Sequence, residues 1–141
     1  MAFSHGKSSV IAVDDSSGTP TTITSYVEEV SWPQEVEASE VTTFGNGNKA
    51  YIVGLADSTV SLSGKYDPTL DALMTSVRAA LIAGTVTTST VKYSPAGTGS
   101  GMPYYSAEAI LTSYEPSSSV ADPNSWSAEY QVTGAVSRST Y

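Results

Sequence analysis

Cysteine is absent from the 141 residues. That removes disulfides, thiol nucleophiles and thiolate metal ligands together. Histidine is nearly absent: His5 is the only one, and it falls in an expected N-terminal arm over residues 1–7. A Ser-His-Asp relay would have to use it, without a structured pocket around it. One imidazole cannot build the usual zinc sites, and no His-Glu-x-x-His pattern occurs. Charge is scarce at 14%, against about 25% in an average soluble domain. Basic charge is scarcer still. Lys7, Lys49, Lys65, Arg78, Lys92 and Arg138 form no cluster, and the net charge is −8. Binding to a phosphate backbone draws its affinity from Lys and Arg, so tight holding of nucleic acid is not expected. No run approaches the roughly 20 apolar residues of a membrane span, and residues 1–7 lack the apolar segment of a secretory leader. The expectation is a soluble protein made in the cytoplasm, with no membrane partner.

What fills the space is small and neutral: Ser, Thr and Gly, with nine Tyr. Ser, Thr, Tyr and Val together favour strands, and the length suits one domain over residues 1–141. Strands are expected at 8–13, 21–32, 49–54, 59–66, 86–94, 104–114 and 125–136. The alternation in 21–32 is imperfect, and a bulge near Glu28-Glu29 would reconcile its halves. Val60, Leu62 and Tyr66 alternate cleanly with Thr59, Ser61, Ser63 and Lys65. One helix is expected over 67–84, with Asp67 as N-cap, Pro68 opening the first turn, and Gly84 as the stop. Leu70, Leu73, Met74, Val77 and Leu81 form its apolar stripe. Residues 33–50 read as a long acidic loop, with Val41–Phe44 as an optional short strand and a turn at 45–48. Loops of that length are uncommon in compact domains and are usually functional. The fold class is therefore mainly β with one α-helix, an antiparallel sandwich flanked by that helix.

The motif-like stretches favour turns over chemistry. Gly45-x-Gly47-x-x-Ala50 precedes a strand-like run, whereas a dinucleotide loop opens a helix. Asp14-Asp15-Ser16-Ser17-Gly18 lacks the alternating oxygen ligands of a calcium loop. Glu28-Glu29 and Glu35/Glu37/Glu40 could pair for glycoside hydrolysis, but solvated faces are the default reading. No catalytic residue, metal or cofactor is expected. Two strands do carry a small polar face, Thr59/Ser61/Ser63/Lys65 and Ser127/Glu129/Gln131/Thr133. It is either an ordinary solvent-facing side or the inner wall of a tube.

The order of elements adds a resemblance. Ile23-Thr24-Ser25-Tyr26-Val27-Glu28-Glu29-Val30-Ser31-Trp32-Pro33 precedes the acidic stretch ending Val41-Thr42-Thr43-Phe44-Gly45. Gly54-Leu55-Ala56-Asp57-Ser58-Thr59-Val60-Ser61-Leu62-Ser63-Gly64-Lys65-Tyr66-Asp67 follows, then the helix and two long strands. From Ser8 onward this resembles the major tail tube proteins of long-tailed, siphovirus-type bacteriophages. The resemblance implies a non-enzymatic virion subunit whose hexameric rings stack into a tube for DNA ejection. The implied partners are further copies, a tape measure protein, a tail terminator, and DNA in passage. It places Ser127, Glu129, Gln131, Thr133, Glu108, Ser61 and Ser63 as lumen candidates. It makes residues 33–50 an inter-subunit loop, with Trp32, Glu35, Glu37, Glu40, Phe44, Gly45 and Gly47 as contact candidates. Trp32 and Phe44 could equally be core residues at strand ends. Two alternatives stay open: a carbohydrate- or receptor-binding sandwich using its tyrosines, and the inner tube of a contractile or secretion system.

Overall fold

The computed structural model describes residue 3, residues 5–45 and residues 47–141. Of the expected arm and turn, Met1, Ala2, Ser4 and Asn46 lie outside the described residues. The elements are β1 (Val10–Asp14), β2 (Pro20–Thr22), β3 (Glu29–Ser31), β4 (Gln34–Glu40), β5 (Tyr51–Lys65), α1 (Pro68–Ala83), β6 (Ser89–Ser94), β7 (Pro103–Ser117), β8 (Ser125–Val132) and β9 (Ser137–Thr140). All pairings are antiparallel. They run β2-β1-β6-β7-β8-β5-β3, with β4 added to β5 and β9 added to β7. This is the expected class, mainly antiparallel β with a single helix.

One linker dictates the shape. β2 and β3 end the path on opposite sides, yet only residues 23–28 join them. A flat sheet of seven strands would hold its ends about 29 Å apart. The linker spans at most about 25 Å if fully extended, and here it winds through a 3₁₀ turn at Thr24–Tyr26. The sheet must curl, so the two layers of the sandwich are halves of one sheet wrapped on one core. Ile11, Val13, Val60, Leu62, Val91, Ala109, Trp126 and Tyr130 are buried in it. The helix adds Leu70, Met74 and Val77. It starts where expected, with the Asp67 carboxylate accepting from the Thr69 N–H at 2.8 Å, and stops at Gly84 in the left-handed region, φ 77°.

Four expectations are corrected. Residues 21–32 are not one bulged strand: β2 and β3 belong to opposite ends of the sheet, and the turn between them crosses β5. The Glu28 N–H donates to the Ser63 carbonyl at 2.8 Å, and Trp126 Nε1 donates to the Tyr26 carbonyl at 3.0 Å. Strands 49–54 and 59–66 are one strand, β5, because β4 pairs along its first half. Residues 33–50 are therefore not a loop: most of their first half is β4, and Val41–Phe44 is not a strand. Strand 125–136 stops at Val132, and Gly134, φ 91°, turns the chain into β9.

Candidate assembly interface

β4 and the first half of β5 form a two-stranded arm. Its register runs from Gln34 opposite Ser58 to Glu40 opposite Tyr51, with an irregularity between Val36 and Ala38. β8 pairs with β5 only from Thr59 onward, so the arm projects beyond the sheet. A lone two-stranded hairpin is marginally stable in water. This one is also apolar: Leu55 is 81% exposed, Val53 80%, and Phe44 at the tip is fully exposed, with Val36, Tyr51 and Ile52 beside them. Contiguous exposed apolar surface marks an interaction site. Glu35 lies directly opposite Asp57, and like charges across a ladder repel. The Asp57 carboxylate accepts from Gln131 Nε2 at 2.8 Å.

The contact candidates are thus split. Glu35, Glu37, Glu40, Phe44, Gly45 and Gly47 are all exposed on the arm, Gly45 at φ 95° in its tip. Trp32 is not an outward anchor. It is half-buried at the root of the arm, its ring 6.2 Å from that of Tyr105. Its Nε1 donates to Ser58 Oγ at 2.6 Å. Val36, Tyr51, Ile52, Val53 and Leu55, exposed on the same arm, are not among the contact candidates from the sequence. The signal was present, since Tyr51-Ile52-Val53-Gly54-Leu55 is a nearly unbroken apolar run with no assigned partner.

The second feature is the outward face of β5, β8 and β7. Opposed pairs set Ser61 beside Glu129 and Ser63 beside Ser127, with Thr59 beside Gln131. Glu108 projects from the same side of β7, opposite Thr90. Thr133 lies just past β8, its N–H donating to the Glu108 carbonyl at 2.8 Å. All seven lumen candidates thus share one face or its margin. Lys65 on this face has its Nζ 3.6 Å from Glu28, and Lys92, on the adjoining β6, has its Nζ 4.2 and 4.4 Å from the Tyr104 and Tyr141 ring centroids. Glu108 accepts from Thr88 at 2.8 Å and from Thr90 at 2.5 Å.

Little here resembles a reaction centre. His5 serves its own turn, Nδ1 accepting from the Lys7 N–H at 3.1 Å. The Asp15 carboxylate closes its loop by accepting from Ser17 and Thr19 N–H groups. Of the tyrosines offered for sugar stacking, Tyr130 is buried and Tyr114 packs on Trp126, while Tyr51 and Tyr141 are exposed. Among the described residues no group of three or more His, Asp or Glu could hold a metal ion.

A family model for phage tail tube proteins matches residues 4–138. The chain belongs to the phage tail tube protein family. It is a tail tube structural subunit, a component of a virion tail. Solved structures show the same fold. The tail of an empty gene transfer agent particle, refined with C6 symmetry, has TM-score 0.74 and 18% identity over 98% of this chain and 100% of that one. The SPP1 tail tube gives 0.70 at 11% identity, over 99% and 80%. The sheath–tube complex of the PVC extracellular contractile injection system gives 0.70 at 17% identity, over 99% and 93%. No curated protein matches the chain.

Proposed function

We propose that six copies of this tail tube subunit close into a ring by pairing the outer edge of β4 in one copy with the open edge of β7 in the next. Stacked rings then form the conduit for DNA. One observation carries this reading: each copy leaves both edges unpaired. β4 pairs only with β5, and β6 pairs with β7 only as far as Ala109, so residues 110–117 keep one free edge among the described residues. Open edges are a liability that ring closure removes. The gene transfer agent tail, with its C6 symmetry, suggests the copy number.

Closure in this way turns the face bearing Ser61, Ser63, Ser127, Glu129, Gln131 and Glu108 towards the lumen, with Thr133 at its rim. A wall of hydroxyls and carboxylates with its lysines engaged repels phosphates, so DNA slides without sticking. The role is passive and structural. The subunit is made in the host cytoplasm, and a terminator and a tape measure protein are its further partners.

The test is negative-stain electron microscopy over a concentration series, joined to thiol labelling of single substitutions. Hollow tubes of uniform diameter are expected. A bulky maleimide should label Ser127→Cys and Glu129→Cys quickly in monomers and slowly in tubes. Equal labelling in both states would remove the lumen assignment, and the lack of any ring or tube would remove closure itself.

A further inference from the structure

We propose that the outward face of α1 in one copy covers the apolar underside of the hairpin arm of its ring neighbour. This rests on the edge pairing proposed above and names the surface that completes it.

The arm is an unfinished piece of core. On the core-facing side of β5, Leu62, Val60 and Ser58 are buried. The same side continues outward to Ala56, which lies opposite Val36. β5 then inserts an extra residue, and the side resumes at Val53 opposite Ala38 and at Tyr51 opposite Glu40. Directly opposed residues project to one face, so these six form a single surface. Among the described residues nothing covers it: Val36 is 60% exposed and Tyr51 56%. A cavity of about 450 Å³ opens where this side leaves the core, walled by Val36, Ala56, Val132, Ala135 and Val136.

The helix offers the matching surface. It buries Leu70, Met74 and Val77 and turns Ala72, Thr75, Ala79 and Ile82 outward, with Ile82 72% exposed. It packs on β7, where the Tyr114 hydroxyl donates to the Asp71 carboxylate at 3.0 Å. Residue 114 lies within the stretch of β7 whose edge is open. A neighbour's β4 added at that edge therefore brings the underside of its arm alongside this helix. Small side chains on the helix let the ribbon approach closely, and Ile82 supplies bulk. The charges also match singly. Glu40 is the one carboxylate on the underside, Arg78 is the one cation on the outward face of the helix, and neither has an ion pair among the described residues. An arm-to-helix contact is head-to-tail, the kind that closes rings.

The test is a disulfide pair in a chain that has no native cysteine. Val53→Cys combined with Ile82→Cys, assembled into tubes and oxidised, should give a ladder of linked chains on a non-reducing gel. Val53→Cys combined with Val120→Cys should not. Charge reversal gives an independent readout. Arg78→Glu or Glu40→Lys alone should raise the concentration needed for assembly about ten-fold, and the double reversal should recover most of it. Thermal unfolding of the monomers should be unchanged, since both sites are exposed. Tubes that form normally, with no ladder above the control pair and no recovery in the double reversal, overturn this contact but leave ring closure standing. An unsubstituted chain that never forms rings overturns both.

Discussion

Gly64 stands where the linker between β2 and β3 crosses β5, and it shows how one atom can hold a fold open or shut. A Cβ built there would lie 1.9 Å from the Tyr26 carbonyl oxygen and 3.0 Å from the Glu28 nitrogen. Both are backbone atoms, so the linker itself would have to move and would disturb the bond from Trp126 to the Tyr26 carbonyl. Gly64→Ala should therefore destabilise the monomer by about 1–3 kcal/mol, read as a shift in chemical denaturation midpoint. An unchanged midpoint would mean that the crossing is looser than this. Tyr114 is the second informative residue. Burial, its hydrogen bond to Asp71 and the charge of that carboxylate push its phenol well above the usual range. Tyr66, beside the same carboxylate, is pushed the same way by burial and by Asp71. A raised pKa means that the folded state keeps a proton that the unfolded chain releases near pH 10. The stabilisation is whole below that pH and is lost progressively as pH climbs from there through the raised value of the folded state. Tyr114→Phe should cost about 1 kcal/mol at neutral pH and flatten the fall in melting temperature above pH 10. An equally steep fall would assign the alkaline loss to other groups.

At the scale of elements, the helix and the arm make opposite cases. The helix carries all its instructions locally, in Asp67, Pro68, the stripe from Leu70 to Leu81, and Gly84. The arm carries none that make sense alone, because its apolar residues lie on both sides of the ribbon and neither side meets a core. Glu35 and Asp57 are cross-strand neighbours, so a two-residue Asn-Gly turn could replace everything between them. That excision removes residues 36–56 and leaves the curled sheet intact. It should give a monomer with near-native melting that forms no tubes at concentrations where the full chain does. Tubes of normal diameter from the excised chain would remove the arm from assembly.

For the whole molecule, composition becomes meaningful only once the faces are sorted. Low charge and abundant Ser and Thr look bland along the chain. Folding gathers Ser61, Ser63, Ser127, Glu129 and Gln131 onto one face, and sets Lys65 beside Glu28 and Lys92 against the Tyr104 and Tyr141 rings. The labelling pattern expected there follows the strand period of two, because successive side chains point to opposite faces. In the ring proposed above, that face would repeat around the channel and make weak repulsion of phosphates a continuous lining.

Local rules were enough for the helix with both its caps, for the polar face of β5 and β8, and for the exclusion of thiol chemistry, because each depends on residues a few positions apart. The order of elements was enough to suggest the family. The tertiary structure alone decided that Thr21–Trp32 breaks into two strands at opposite ends of a sheet, that β5 runs unbroken through Leu55–Ser58, and that Trp32 packs inward. It also turned residues 33–50 from a loop into half of an arm. Each of these depends on a partner distant in sequence: Trp126 for the broken strand, β4 for the continuous one, Tyr105 and Ser58 for the tryptophan. Strand identity is a property of pairing, and a strand's own residues do not say which partner it will meet.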